Sequence, residues 1–421
     1  MIRPAGRSMN QLLSLLLLGA FLMVMLSGCA EEEPRYKDMP VSTYLKQIVE
    51  SNNVQKVDKA IDALIAIGGP AVPYLIKVWK KHDDITTRCR LATVFEGIGP
   101  AASETVPLLV ESLNAIEEQM VSCAAYALGG IGSAAAPSAE KLGSLLRSSD
   151  STTQVNLLYA LGAIGPAASA QIPLILEAVE RERTRDAAID ALGQMGPEAV
   201  AAVQPWLDNG TREQKLGALQ VLANAGREEQ LGMVLPKLAE LMKDKDATVR
   251  GAAVRAIGKA KTAAVPVQSE LIDVLNDRDA DVRRDAIQAL VNIGPEVGAD
   301  KIIAALGDRR SKVREGAALV IGRYTTLVEA AKSKLIQRMA DSSVDVRVAA
   351  IDAITTLGPD IVPTMTRQLK SNSVLMRFGA ARVLGNLGSA SREALPELRK
   401  LLRDKDALVS SEAQSAISKI R

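Results

Sequence analysis

The sequence predicts an all-α solenoid of about eleven stacked two-helix repeats plus a C-terminal half-repeat. Three observations carry this: one register recurs at a nearly fixed period, its apolar residues keep helical spacing, and most units close on a Gly turn. With slot zero at Arg283, the register falls at Val57, Arg88, Val121, Gln154, Arg185, Lys215, Arg250, Arg283, Arg314, Arg347, Arg377 and Ser410, in steps of 30 to 35 residues. A period in that range marks units that can bury their apolar faces only against their neighbours.

The first helix of each unit follows from the slots. Slot three holds Ala or Leu throughout (Ala60, Leu91, Ala124, Leu157 and onward to Ala413), and slot six holds only Ala or Val. Slot seven is always large and apolar, from Leu64 and Phe95 to Leu384 and Ile417. Spacings of three and four residues keep these side chains on one helical face. The small residue at slot three lets a neighbouring helix approach closely.

Slot eleven is Gly in nine of the twelve units, often followed by Pro, as at Gly99-Pro100 and Gly165-Pro166. This reads as a left-handed helix C-cap, with Pro preventing continuation. A second Pro then opens the second helix, at Pro73, Pro107, Pro137, Pro173, Pro205, Pro236, Pro266, Pro363 and Pro396. Pro fits a first turn because its missing N–H has no intrahelical acceptor there. Second helices carry their own apolar stripe, such as Leu235, Leu238, Leu241 and Met242, and many close on Asp, as at Asp244, Asp246, Asp277 and Asp279.

The segments Val249-Arg250-Gly251-Ala252-Ala253-Val254-Arg255-Ala256-Ile257-Gly258 and Val346-Arg347-Val348-Ala349-Ala350-Ile351-Asp352-Ala353-Ile354 resemble bacterial HEAT repeats. They are similar in particular to the short HEAT-like repeats first associated with phycobilisome lyases. The resemblance covers about residues 54–421. It implies the solenoid and leaves the function open, because such repeats serve unrelated tasks.

The ends predict a compartment. Residues 1–28 read as a lipoprotein signal peptide: Arg3 and Arg7 precede an apolar run from Leu12 to Met25, then Leu26-Ser27-Gly28-Cys29. The last four residues resemble a lipobox, which implies acylation of Cys29 and a lipid anchor on the periplasmic side of a bacterial membrane. Ala30 after the Cys resembles an outer-membrane sorting signal, and inner and outer membrane stay open. Residues 29–40 read as anchor and tether and 41–421 as the solenoid, with an amphipathic helix from Val41 to Glu50 capping the first repeat. No other stretch reads as long and apolar enough to cross a membrane. Cys89 and Cys123, at slots one and two of adjacent repeats, are expected to be separate thiols, because stacked helices ~8–10 Å apart suit a bridge poorly.

Charge is polarised. Residues 30–210 hold 15 Lys+Arg against 23 Asp+Glu, a net of −8, and residues 211–421 hold 34 against 26, a net of +8. Arg250, Arg283, Arg314, Arg347 and Arg377 recur one repeat apart, as do Asp246, Asp279 and Asp345. Stacking would bring each Arg to an Asp or a free helix-end carbonyl, forming a structural ladder; the alternative is a basic groove for an acidic ligand.

Catalytic signatures are missing. The single His, His82, stands beside Asp83 and Asp84 and reads as a solvated helix-end residue. Some HEAT-like proteins are di-iron hydroxylases with repeated His-Glu pairs, and no such pair exists here. There is no phosphate loop and no nucleophile elbow. The adjacent carboxylates Glu117/Glu118 and Glu228/Glu229 diverge on a helix and read as solvated. No catalytic residue, cofactor or metal is therefore assigned, and the export signal disfavours nucleic acid. The expected function is a non-catalytic scaffold or adaptor holding a protein or peptide on the second helices. Candidate contacts are Lys77, Glu111, Glu177, Lys237, Arg367 and Arg399, with Trp79 and Trp206 as either anchors or half-buried packing residues. The alternative is a cofactor-handling, lyase-like protein, by analogy with the phycobilin lyases.

Overall fold

A computed structural model describes residues 33–295 and 298–420. The expected signal peptide (residues 1–28) and the expected acylation site, Cys29, lie outside the described residues. The chain divides into two compact units, 1–141 and 142–421, and the fold class is all-α, with helices stacked as a solenoid within each unit.

The described chain opens on a two-residue antiparallel pair, β1 (Arg35–Tyr36) with β2 (Met39–Pro40), followed by α1 (Val41–Glu50). Residues 33–40, read from sequence as part of a tether, instead fold back on α1. The Tyr44 hydroxyl donates to the Tyr36 carbonyl at 2.7 Å, and Glu33 accepts from the Ser42 amide at 2.5 Å. Eleven helix pairs follow, with first helices even-numbered and second helices odd. They are α2 (Val54–Ile67) and α3 (Val72–Lys81), α4 (Ile85–Ile98) and α5 (Val106–Ser112), α6 (Glu118–Ile131) and α7 (Ala139–Leu145). Next come α8 (Ser151–Ile164) and α9 (Ile172–Val179), α10 (Arg185–Gln194) and α11 (Pro197–Asn209), α12 (Arg212–Ala225) and α13 (Glu228–Leu241). Then come α14 (Ala247–Lys259) and α15 (Gln268–Val274), α16 (Ala280–Ile293) and α17 (Ala299–Ala305), α18 (Ser311–Ile321) and α19 (Thr325–Arg338). The last pairs are α20 (Val344–Thr355) with α21 (Val362–Gln368) and α22 (Val374–Asn386) with α23 (Leu395–Leu401), and α24 (Ala407–Ile420) is a further first helix.

Within each unit the first helices pack directly on one another. Slots three, six and seven form the core: Ala253, Ala256 and Ile257 are fully buried, as are Ala380 and Leu384. Small residues set the spacing. A Cβ on Gly162, Gly258 or Gly385 (slot eight) would sit 2.8–2.9 Å from the Cα of Ala191, Ala289 or Ala416, the slot-six residue of the next first helix.

The turns differ from expectation in two ways. At Gly68, Gly99, Gly132 and Gly165, φ is 69 to 73° but ψ is near −140°. That is outside the left-handed helical region, in a part of the map that only Gly occupies readily. The chain reverses sharply into a short 3₁₀ turn before the second helix. Pro205 and Pro236 do not open a helix: they lie inside α11 and α13, where the second helix starts earlier and absorbs that turn. Pro73, Pro107, Pro173, Pro363 and Pro396 occupy first turns as expected.

Among the described residues two helical stretches, Glu118–Leu145 and Ser151–Val179, reach the length and apolarity of a membrane span by composition alone, against the sequence expectation. Their apolarity reflects packing: half of each apolar window is buried in the protein, and Gly132 and Gly165 break each stretch.

Candidate partner surface

Slot zero acts inside the fold. Arg250 grips both carboxylate oxygens of Asp277 at 2.7 and 2.8 Å, Arg314 those of Asp341 at 2.8 and 2.7 Å, and Arg377 those of Asp404 at 2.7 and 2.8 Å. Each Arg also donates to carbonyls six and five residues before it, at Asp244 and Lys245, Asp308 and Arg309, Ser371 and Asn372. Among the described residues Arg283 and Arg347 make the carbonyl contacts without a carboxylate, Arg283 to Asp277 and Arg278, Arg347 to Asp341 and Ser342. The reason is local. Asp308, the carboxylate one repeat on from Arg283, is held by Arg310, and Ser371 stands where Arg347 would need an Asp.

The carboxylates of this ladder are not those expected from sequence. Asp246 and Asp279 are N-caps, accepting from first-turn amides of α14 and α16, and Asp345 pairs with Lys312 at 2.9 Å. The same capping recurs at Asn53, Asp84 and Asp150. A short Asp side chain before a first turn satisfies amides that have no intrahelical acceptor. Burial disfavours the charged forms of Asp277 and Asp341, but the guanidiniums of Arg250 and Arg314, together with the Asp279 and Ser343 amides and the neighbouring Arg278 and Arg338, hold both carboxyls below the usual range. Arg310 holds Asp308 down to about 2.

The residues predicted as partner contacts have separate fates. Trp79 is 3% exposed, with its ring 5.6 Å from Phe95 and the Arg88 guanidinium over its face. It is a packing residue, and the anchor role is corrected accordingly. Trp206 is half-buried. Lys77 is exposed with its ammonium over Tyr74, and exposed Glu111 lines a groove of about 510 Å³ with Lys80, Leu108 and Asn114. Glu177 is clamped by both donor groups of Arg147, and Lys237 bridges Asp208 at 3.1 Å and Glu240 at 2.7 Å. Arg367 and Arg399 are exposed on α21 and α23, and no carboxylate faces either among the described residues.

Cys89 and Cys123 form a disulfide with Cα atoms 5.3 Å apart. The expectation of separate thiols assumed ordinary helix spacing. On α4 and α6 the backbones approach more closely, since a Cβ on Gly130 would lie 2.5 Å from the Cα of Glu96. His82 ends α3, its Nδ1 4.0 Å from Asp84. Among the described residues there is no group of three or more His, Cys, Asp or Glu that could hold a metal ion.

Comparison with protein families matches residues 268–343 and 332–418 to the model described as HEAT repeats and residues 234–260 to that of the HEAT repeat. Residues 234–260 and 268–418 carry HEAT repeats. No curated protein matches the sequence. Among solved structures, the fold is similar to that of the karyopherin Kap121p bound to the extreme C-terminus of the protein phosphatase Cdc14p: 12% identity over 99% of this chain and 53% of that chain, TM-score 0.53. Kap121p bound to Pho4p aligns at 11% identity over 95% of this chain and 51% of that chain, TM-score 0.54. The chain spans about half the length of these karyopherins, and at such identity the likeness is one of fold.

Sequence reasoning named Arg367 and Arg399 but missed their companions. Lys370, Lys400 and Arg403 stand on or just after the same two second helices of the HEAT stack, and Leu402 is 40% exposed beside them. The signal was present in the excess of Lys and Arg after residue 211. It becomes local only when the second helices are aligned by repeat.

Proposed function

We propose that this protein is a non-catalytic scaffold, lipid-anchored through Cys29 on the periplasmic face of a bacterial membrane, that holds a protein or peptide partner on its second helices. One observation carries the reading. The residues that recur between repeats are consumed by packing, capping and the Arg ladder, so the charges without internal partners lie at positions that differ between units, such as Arg367 and Arg399. A surface of that kind suits recognition rather than chemistry. The HEAT-repeat fold and its likeness to partner-bound karyopherins support the same reading. The lipobox supports the anchor, and the Cys89–Cys123 bridge suits an oxidising compartment.

The test is made in the native host. A photo-crosslinking residue is placed at 177, 237 and 399 in turn, and membranes are fractionated for wild type and Cys29→Ala. The reading expects discrete protein adducts and a Cys29→Ala chain released from membranes. Absence of adducts at all three positions removes the scaffold, and a Cys29→Ala chain that still fractionates as a mature lipoprotein removes the anchor.

A further inference from the structure

We propose that the α21–α23 end of the second-helix layer is a docking site for an acidic peptide segment carrying an apolar side chain; this deepens the scaffold reading and rests on it. Arg367 on α21, Lys370 just beyond it, Arg399 and Lys400 on α23, and Arg403 just beyond that place five cations on adjacent repeats. One carboxylate answers them: Glu397, 2.8 Å from Lys400 and 3.6 Å from Lys370. Among the described residues Arg367, Arg399 and Arg403 have no carboxylate partner.

Several cations of earlier second helices are balanced: Lys237 by Asp208 and Glu240, Lys332 by Glu329, and Arg338 by Asp341. Lys77, Lys80 and Lys81 on α3 form another basic stretch, but that helix holds no arginine. At α21–α23 three arginines stand together without carboxylate partners among the described residues, and a positive field of that kind attracts a negative chain and orients it.

Beside these arginines lies a hollow of about 580 Å³ lined by Arg399, Lys400, Leu402, Arg403, Gln414 and Ile417. Leu402 is its exposed apolar wall. The residue one repeat earlier, Leu369, is 2% exposed, and its counterparts Met339, Leu306 and Leu275 are equally buried. An apolar surface flanked by planar guanidiniums fits a segment that presents carboxylates to Arg399 and Arg403 and one apolar side chain to Leu402. Arg forks bind carboxylates in pairs, which a diffuse lysine patch does not. Single-stranded nucleic acid would call for exposed aromatic platforms; the nearest aromatic, Phe378, lies under Arg382. A bilayer surface would meet the charges but could not enter the hollow.

The test is fluorescence anisotropy on the full chain in detergent, with a labelled peptide of Glu residues around a central Leu. The controls are the same peptide with Lys for Glu, the Glu peptide with Ser for Leu, and phosphatidylglycerol mixed micelles as competitor. Expected are binding of the Glu–Leu peptide that weakens as NaCl rises, and a loss of roughly tenfold or more in Arg399→Glu/Arg403→Glu, in line with losing charge-assisted hydrogen bonds. Leu402→Ser and the Ser peptide should each weaken binding, while Arg284→Glu, on a first helix, should not. Equal binding of the Lys peptide, no effect of Arg399→Glu/Arg403→Glu, or full displacement by phosphatidylglycerol at matched charge overturns the proposal. Crosslinked adducts at 177 or 237 together with no acidic-peptide binding would overturn this site while leaving the scaffold standing.

Discussion

Arg314 and Asp341 close a bidentate pair, Nε and Nη2 donating at 2.8 and 2.7 Å to the two carboxylate oxygens, between one first helix and the loop before the next. Both side chains are buried, so neither is solvated if the other is lost. Breaking a buried pair from one side costs about 3–5 kcal/mol, because an uncompensated charge remains. Asp341→Ala should therefore lower unfolding free energy by about 3 kcal/mol in urea titration. Asp345→Ala removes an exposed partner of Lys312 and should cost below about 1 kcal/mol. Equal effects would mean the ladder does not act as a set of buried ties.

Acid sensitivity follows from the same carboxylates. Asp308 is held at about 2 by Arg310, against an ordinary 3.8, and Asp277, Asp341 and Asp404 are also held below that value. A folded value below the unfolded one gives stability that is complete above the unfolded value and is lost as pH falls through the folded one. Thermal melting followed by circular dichroism should thus be flat above about pH 5 and fall steeply between about pH 4 and 2. Asp308→Asn should be less stable at neutral pH and lose less than wild type across that window. A slope unchanged in the variant would assign the acid transition to other groups.

The Cys89–Cys123 bridge ties two adjacent first helices across 34 residues. Closing a loop of that size restricts the unfolded chain by about 3–4 kcal/mol. Cys89→Ser/Cys123→Ser should unfold at lower urea, and wild type in reductant should approach it. Two titratable thiols in the unreduced, denatured protein would contradict the bridge.

The repeat architecture was legible because one period governs every slot, and a helix-packing slot accepts few residue types. The role of each Asp was not. Asp277 and Asp279 look alike in sequence, yet Asp277 takes Arg250 from the preceding repeat and Asp279 caps the next helix; at the equivalent pair Asp244 meets Lys215, while Asp246 both caps the next helix and takes Arg212. A spacing of 27 residues from Arg to carboxylate, as in 250 to 277, 314 to 341 and 377 to 404, distinguishes them once known. Trp79 stayed open between anchor and packing residue because helical periodicity gives a facing direction but not the depth of the neighbouring helix; at 3% exposure it packs. The bridge was missed for a related reason: interhelix distance depends on glycines such as Gly130, whose effect appears only when two repeats are stacked.

That dependence gives opposite signs for one substitution at two glycines. At Gly258 a Cβ would meet the Ala289 Cα at 2.9 Å, so the first helices α14 and α16 must separate. At Gly232, inside α13, the nearest atom is the Ala263 Cβ at 3.7 Å, an ordinary contact. Overpacking at a close helix seam costs about 1–3 kcal/mol, whereas replacing an unstrained helical Gly by Ala stabilises by about 0.5–1 kcal/mol, chiefly by restricting the unfolded chain. Gly258→Ala should lower the urea midpoint and Gly232→Ala should raise it. If both raised it, the seam would be loose enough to accept a methyl group, and small residues would not be what spaces the repeats.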